Sequence, residues 1–448
     1  MMLQHRITRR QLLSGLGGTT LLSFLGKANA LAQTVTPDYK ALVCVFLSGG
    51  NDAHNMVVPL SAAQFNAYKA ARGSLALPDG NGALLQVVTP DGTPYGFNPG
   101  LQAIHGLWGS GALAVVANTG MLVQPVTRAE FLANAAPLPT NLFSHSDQIQ
   151  QMQSGVPSTS GGTGWGGRAA DVLQPMNAPS SFPTTVSISG PALFCNGKVV
   201  QSASLWPGFN LDAAGMSLWP QAAADGRKNG FQQVLQFDSG LELIQAANHV
   251  REDALALNGL LSGQSATVST PFPGTSLGNQ LKQVAQIIKL RPSTGMRRQV
   301  FFCSIGGFDT HGAQSWQHWN LLQQVAQALA AFYDATGELG VADRVTSFTL
   351  SDFGRTLQPS GTGSDHGWVS HQLIVGGAVQ GGRMFGMFPN LALGGPDDSG
   401  NRGALIPSTS IDQFGATLAA WFGVPSTELA TVFPNLPKFG SSNLGFMV

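Results

Sequence analysis

The chain has 448 residues, a formal charge of zero, 43% hydrophobic residues and only 10% charged ones, against about 25% charged in an average soluble protein. That balance excludes a partner chosen by bulk electrostatics, so no nucleic-acid groove is expected. The length suffices for one large domain or two ordinary ones.

The front end reads as an export signal. His5, Arg6, Arg9 and Arg10 make a basic start, Gln11 to Gly26 is a mildly apolar run, and Ala28 to Ala32 supplies the small residues of a cleavage site. Arg9-Arg10 followed by Gln-Leu-Leu resembles a twin-arginine signal spanning residues 1–32. The run is short of the ~20 residues a membrane span needs. The expectation is a periplasmic or secreted protein, residues 33–448, with no membrane span after signal removal. Its three cysteines, Cys44, Cys195 and Cys303, cannot all pair internally. Cys44 and Cys303 lie in apolar runs and read as buried small side chains.

Ala41 to Leu47 is a continuous apolar run, as expected of a central parallel strand covered on both faces. It ends in SGGNDAHN, which places Asp52, His54 and Asn55 at its carboxyl end. Short helices are expected at Phe65 to Arg72 and Leu101 to Gly109, with a second strand at Ala112 to Asn118. In Asn141 to Gly155, Ser144 or Ser146 caps a helix with His145 near its amino end. Gly162, Gly164 and Gly167 have GxGxxG spacing, but no strand leads into them, so a close backbone approach is the better reading than a dinucleotide turn.

Residues 178–275 are rich in Pro and Gly and read as an inserted cap, with a strand at Thr184 to Ser189 and a helix at Gly240 to Asn258. Gly274 to Gly278 matches the GxSxG pattern, yet two prolines precede it. Thr275 or Ser276 is therefore read as the cap of a helix running to Leu290, the alternative being a nucleophilic Ser276. Gln299 to Ser304 is a third core strand, running into Asp309 and His311, and a long helix follows from Gln314 to Gly337. Arg344 to Leu350 is a fourth strand, followed by a polar loop, Ser351 to Trp368, that carries Asp352, Arg355, Asp365 and His366. A fifth strand at Gln372 to Val375 and a helix at Ile411 to Phe422 close the chain. Alternating strands and helices predict an α/β, doubly wound sheet.

Three times an apolar strand ends and an Asp follows with a nearby His. Parallel strands place their carboxyl ends on one edge, so Asp52, Asp309, His311, Asp352, Asp365 and His366 can converge. Asp and His together are ligands for zinc or manganese and, with more carboxylates, calcium. One or two such ions could clamp an ester and acidify a water. Arg355 then neutralises an anionic substrate or forms a structural salt bridge.

The ordered set GGND, HNMVVP, FSHSDQ, GWGGRAAD, FDTHGAQ, SDFGRT, GSDHGW and GGAVQGGRMFG resembles the exported bacterial family known as domain of unknown function 1501, over residues 41–448. That family is similar to the alkaline phosphatase and sulfatase superfamily. The resemblance implies a mixed, mainly parallel sheet between helices, one or two metals at the strand ends, and a nucleophile at a helix amino end, where Ser144 and Ser146 stand. Phe353 occupies the place of an expected ligand histidine, and the CxPxR pattern of sulfatases is absent. The resulting expectation is a metal-dependent hydrolase-like protein for a phosphate or related ester, on a small molecule or a polymer. The alternative is an inactive binding or structural envelope protein on the same fold. A co-exported protein partner is compatible with the resemblance.

Overall fold

The computed structural model describes residues 38–448, apart from residues 79–82, 159–161, 181, 208–215, 217 and most of 238–265. The expected signal, residues 1–32, lies outside the described residues, as does most of the helix expected at Gly240 to Asn258.

The first half of the chain forms β1 (Lys40–Leu47), α1 (Ala53–Met56), β2 (Val57–Pro59), α2 (Ala62–Arg72), β3 (Leu85–Val88), β4 (Pro94–Phe97), α3 (Gln102–Gly109) and β5 (Leu113–Gly120). Then come α4 (His145–Ser154), α5 (Trp165–Leu173), β6 (Thr185–Ser187), β7 (Ala203–Ser204), α6 (Gln221–Leu235) and α7 (Ser276–Lys289). The last part contributes β8 (Arg298–Ile305), α8 (Gln314–Glu338), β9 (Val345–Ser351), β10 (Arg355–Ser360), β11 (Gly363–His366), β12 (Ser370–Val375), β13 (Met384–Phe385), β14 (Thr409–Ser410) and α9 (Ile411–Phe422).

Among the described residues the main sheet has nine strands in the order β13-β5-β12-β9-β1-β8-β6-β7, with β14 beside β5. Its neighbours are parallel except where β12 meets β5 and β9. The sheet is therefore mixed and mainly parallel, and helices cover both of its faces. Alternate residues of β1 show why. Val43, Val45 and Leu47 join one apolar core with Leu281 of α7 and Leu329 of α8, whereas Leu42, Cys44 and Phe46 join another with Trp165 of α5 and Phe414 of α9.

Helix α7 illustrates the local logic. Thr275 accepts the Gly278 N–H at 3.1 Å and so caps the helix, and Leu277, Leu281, Val284 and Ile288 form its buried stripe. Each such side chain is worth about 1.5–3 kcal/mol of burial. Ser276 stands in the first turn, where its hydroxyl accepts from Gln280. All three cysteines are buried and unpaired.

Register is what positions the site. Leu47 at the end of β1 lies level with Ile305 of β8 and with Ser351 of β9. The segments that follow all start from one edge.

Four features add to or differ from the sequence reading, within the expected mixed, mainly parallel sheet. Residues 351–368 form a hairpin, β10 with β11, rather than an open loop, and Arg355 is paired with His366 in its register. The pairing of a buried arginine with a histidine hides the usual apolar alternation. Strand β12 is antiparallel to both neighbours, and a small sheet, β2-β4-β3, lies outside the main one. Of the segment read as a cap, β6 and β7 extend the main sheet next to β8.

Candidate metal centre

The turn after β1 sets the floor of the site. Gly49 and Gly50 have φ of 117° and 83°, and a Cβ on either would lie 2.3 Å from the Asp309 backbone nitrogen or 2.6 Å from the Phe353 ring. Only glycine meets both demands. This close approach lets the Gly49 N–H donate to both Asp352 oxygens, at 3.0 and 3.2 Å, while its carbonyl accepts from Arg355 at 2.9 Å.

Helix α4 brings His145 across the edge from the other side. Its Nδ1 lies 2.7 Å from Asp352 Oδ2 and carries the hydrogen of that contact. The remaining Nε2 is buried, has no hydrogen-bond partner, and stands 3.4 Å from Asp309 Oδ1. His366 is held the same way. Its Nδ1 donates to the Phe143 carbonyl at 2.7 Å, and its Nε2 also faces Asp309 Oδ1, at 3.4 Å. Phe143 adopts a φ of 72°, which is costly for an aromatic residue, and its N–H donates to Gln148 of α4 at 2.7 Å. The strain aims its carbonyl at the imidazole.

One atom each from His145, Asp309 and His366 lies within 4.8 Å of the other two. His311 adjoins them, with Nε2 2.9 Å from Asp309 Oδ1 and 3.0 Å from His366 Nε2. The edge of a tetrahedron of zinc ligands, for bond lengths of about 2.0–2.1 Å, is about 3.4 Å. The distances from His145 Nε2 and His366 Nε2 to Asp309 Oδ1, both 3.4 Å, are of that size.

The electrostatics follow from the partners. The hydrogen bond to Asp352 is the largest influence on His145 and raises its pKa, against the opposing effect of burial. Burial lowers that of His366, only partly offset by the Phe143 carbonyl. For Asp309 burial acts upward, but Arg355, His145 and His311 together outweigh it and hold the carboxyl below its ordinary value.

Phe353 packs its ring against both imidazoles, with centroids 4.6 Å from His145 and 4.7 Å from His366. Where the resemblance implies a ligand, this chain has an apolar platform. Arg355 is fully buried, and its guanidinium is spent on Gly49, Ser364 and Asp309, the last at 3.2 Å. Of its two expected roles, the geometry shows the structural salt bridge.

Other expected residues stand further out. Asp52 is buried, and its Oδ2 accepts from Arg72 and from Gln314, while Oδ1 has no partner. Burial would raise its pKa, but Arg72 and then His318, His54 and Arg355 prevail and lower it. His54 is buried with neither nitrogen partnered, and burial depresses its pKa to about 4. Asp365 pairs with Arg402 at 2.9 Å and lies 3.7 Å from His311 Nδ1. The hydroxyls of Ser144 and Ser146 both donate to Asp147 in the first turn of α4.

Sequence reasoning placed His145 beside the helix start without a partner. The structure supplies that partner in Asp352, 207 residues away. Arg402 and the Phe143 carbonyl carried no signal in the sequence.

The fold and site define an α/β protein with a cluster of imidazoles and carboxylates at the carboxyl edge of its sheet. The chain matches the family described as "Protein of unknown function (DUF1501)" over residues 39–398, and it belongs to that family. No curated protein sequence matches it. Among solved structures it is similar to Ps i-CgsB in complex with k-i-k-neocarrahexaose, at 9% identity and a TM-score of 0.36, over 89% of this chain and 76% of that one. It is also similar to PsFucS1 sulfatase from Pseudoalteromonas sp., at 10% identity and 0.31, over 84% and 71%. A third is the C-terminal periplasmic domain of EcEptC from Escherichia coli in complex with Zn, at 8% and 0.32, over 76% and 73%. TM-scores of this size carry no functional weight, and the fold stands on this chain's own sheet order and strand directions.

Proposed function

We propose that this is an exported, metal-dependent hydrolase-like protein that acts on a phosphate or related ester, with one divalent cation held by His145, Asp309 and His366 and flanked by His311. The observation that supports it is the convergence of lone pairs. Both His145 Nε2 and His366 Nε2 are left as acceptors by the contacts at their Nδ1 atoms, and both face one carboxylate oxygen at 3.4 Å. With neutral imidazoles these acceptors repel around one point. Arg355 on Asp309 and a proton on His145 or His311 relieve this in part, and a divalent cation between them removes the repulsion outright. A nitrogen-rich donor set favours zinc over manganese and, more strongly, over calcium.

A cation so held supplies a Lewis acid for the ester oxygen and a water acidic enough to attack near neutral pH. The chain's own residues supply the rest. Asp352 orients His145 and increases its basicity, the Phe143 carbonyl does the same for His366, and Arg355 fixes Asp309. The Phe353 ring, buried beneath the imidazoles, keeps water from that side. Asp52, neutralised by Arg72, supports the floor in this reading rather than a second ion.

The Arg9-Arg10 pair and the apolar run after it support the export part of this reading. Among the described residues no helix is long and apolar enough to cross a membrane. Replacing both arginines by lysine should retain the protein in the cytoplasm.

A metal-stabilised binding protein is the second reading, favoured by one observation: the hydroxyls of Ser144 and Ser146 are both held by Asp147 of their own helix, and the described residues show no contact between either hydroxyl and the His145, Asp309 and His366 cluster. Assays of zinc-loaded protein on aryl phosphate, phosphonate and sulfate esters separate the two. The hydrolase reading expects turnover that vanishes in Asp309→Asn with the fold retained. Zinc bound tightly with no turnover on any of the three supports the binding protein instead.

A further inference from the structure

The metal-centre reading leaves the negative charge of the substrate unmatched, because Arg355 has no donor to spare. We propose that Arg402 is the anion-binding residue, contacting the oxyanion of an ester held at the His145, Asp309 and His366 cluster; this rests on the function proposed for that site. Arg402 reaches the cluster through two short steps. Its Nη1 lies 2.9 Å from Asp365 Oδ2, and Asp365 Oδ1 lies 3.7 Å from His311 Nδ1, whose other nitrogen faces Asp309.

Arg402 also sits on a segment built to hold it. The Gln358 N–H donates to the Arg402 carbonyl at 3.0 Å and the Leu357 N–H to the Gly403 carbonyl at 3.1 Å, so the segment is tied to β10 by two backbone hydrogen bonds. Asp398 gathers the N–H groups of Gly394, Gly400 and Gly403 at 2.9, 3.0 and 2.9 Å. Arg128 binds the carbonyls of Asp398 and Gly400, each at 2.9 Å. A backbone fixed by this many bonds leaves only the side-chain rotamers to be ordered when an anion binds.

The side chain itself is available. Arg402 Nε donates to Gln358 at 3.3 Å, Nη2 has no partner among the described residues, and the side chain is 48% exposed. The site's two other arginines, Arg72 and Arg355, are fully buried. A guanidinium with a free edge suits the paired oxygens of a phosphoryl or sulfuryl group. Asp365 competes with that anion for the same donors.

The test is calorimetric titration of full-length mature protein, first with zinc and then with inorganic phosphate, each phosphate titration repeated on metal-free protein. Wild type is compared with Arg402→Gln, Arg402→Lys and Asp365→Asn. Zinc should bind wild type and Arg402→Gln equally, while phosphate weakens about ten- to hundred-fold in Arg402→Gln and several-fold in Arg402→Lys. Asp365→Asn should bind phosphate more tightly, and most of that gain should be lost when Arg402→Gln is combined with it, whereas a gain that persists in the double variant arises without Arg402 and counts against the proposal. Phosphate affinity unchanged in both Arg402 variants overturns the proposal. Should Arg402→Gln fail to fold, Arg402→Lys decides by the same criterion. Failure of wild type to bind zinc overturns the metal centre separately, and the metal-free titrations still judge Arg402.

Discussion

Replacing Asp352 with Asn tests whether the proposed metal centre depends on a buried carboxylate that bonds to one of its histidines. The substitution keeps the side chain's size and can keep one acceptor for the Gly49 N–H, but it removes the charge that His145 Nδ1 meets at 2.7 Å. That contact is the largest influence raising the basicity of His145, so the lone pair on Nε2 becomes a poorer donor. A hydrogen bond to a charged group is worth about 1.5–3 kcal/mol. His145 is 29% exposed, which puts the effect in the lower half of that range. The expected loss is about ten- to thirty-fold in zinc affinity, within the range measured when outer partners of ligating histidines are removed. Competition with a chelator of known affinity at pH 7.5 reads this directly, with thermal unfolding of the metal-free protein as the control for fold. Zinc affinity unchanged in a folded Asp352→Asn protein would refute the coupling between Asp352 and the centre.

Other outcomes follow from the same geometry. Arg355→Met leaves Asp309 and the Gly49 and Ser364 carbonyls without their donor, and should cost about 3 kcal/mol in urea unfolding; a loss under 1 kcal/mol would contradict it. Gly50→Ala forces a Cβ into the Phe353 ring at a φ of 83° and should destabilise by more than about 1 kcal/mol, whereas alanine at the exposed helical Gly226 should stabilise by about 0.5–1 kcal/mol. Asp412, fully buried on α9, has its carboxyl pushed up to about 7 by burial, from 3.8. The folded state therefore binds that proton more tightly than the unfolded one, so the group costs nothing below pH 4 and progressively more as pH rises to 7. Asp412→Asn should stabilise the protein by up to about 4 kcal/mol at pH 8 and hardly at all at pH 4. An equal effect at both values would refute the assignment.

The strand ends were legible because chemistry and periodicity agreed there. β1, β8 and β9 read as apolar runs stopped by turn residues and an aspartate, and their aligned register brings those ends to one edge. What each aspartate does was not legible. GGNDAH and GGFDTH look alike, yet Asp52 is buried against Arg72 whereas Asp309 is 47% exposed at the open edge. The difference comes from α2, which carries Arg72 under the first turn, a tertiary fact with no local signature. The hairpin at 355–366 was missed because Arg355 is buried by compensating hydrogen bonds rather than by apolar character. His145 was visible as a residue at a helix start, but its orientation depends on Asp352 and on the level at which α4 meets the sheet. Arg402 needed the two backbone hydrogen bonds from β10 to residues 402 and 403 before it could be placed at all.

The central claim is that His145, Asp309 and His366 hold one divalent cation. The most direct measurement is zinc titration of the purified protein beside the Asp309→Asn and His366→Ala variants, followed by X-ray absorption at the zinc edge. The account predicts one equivalent bound by the wild type, nitrogen and oxygen neighbours at about 2.0–2.1 Å with at least two imidazoles, and a loss of at least tenfold in affinity in each variant. A wild-type protein that binds no zinc, or variants that bind it as tightly, would contradict it.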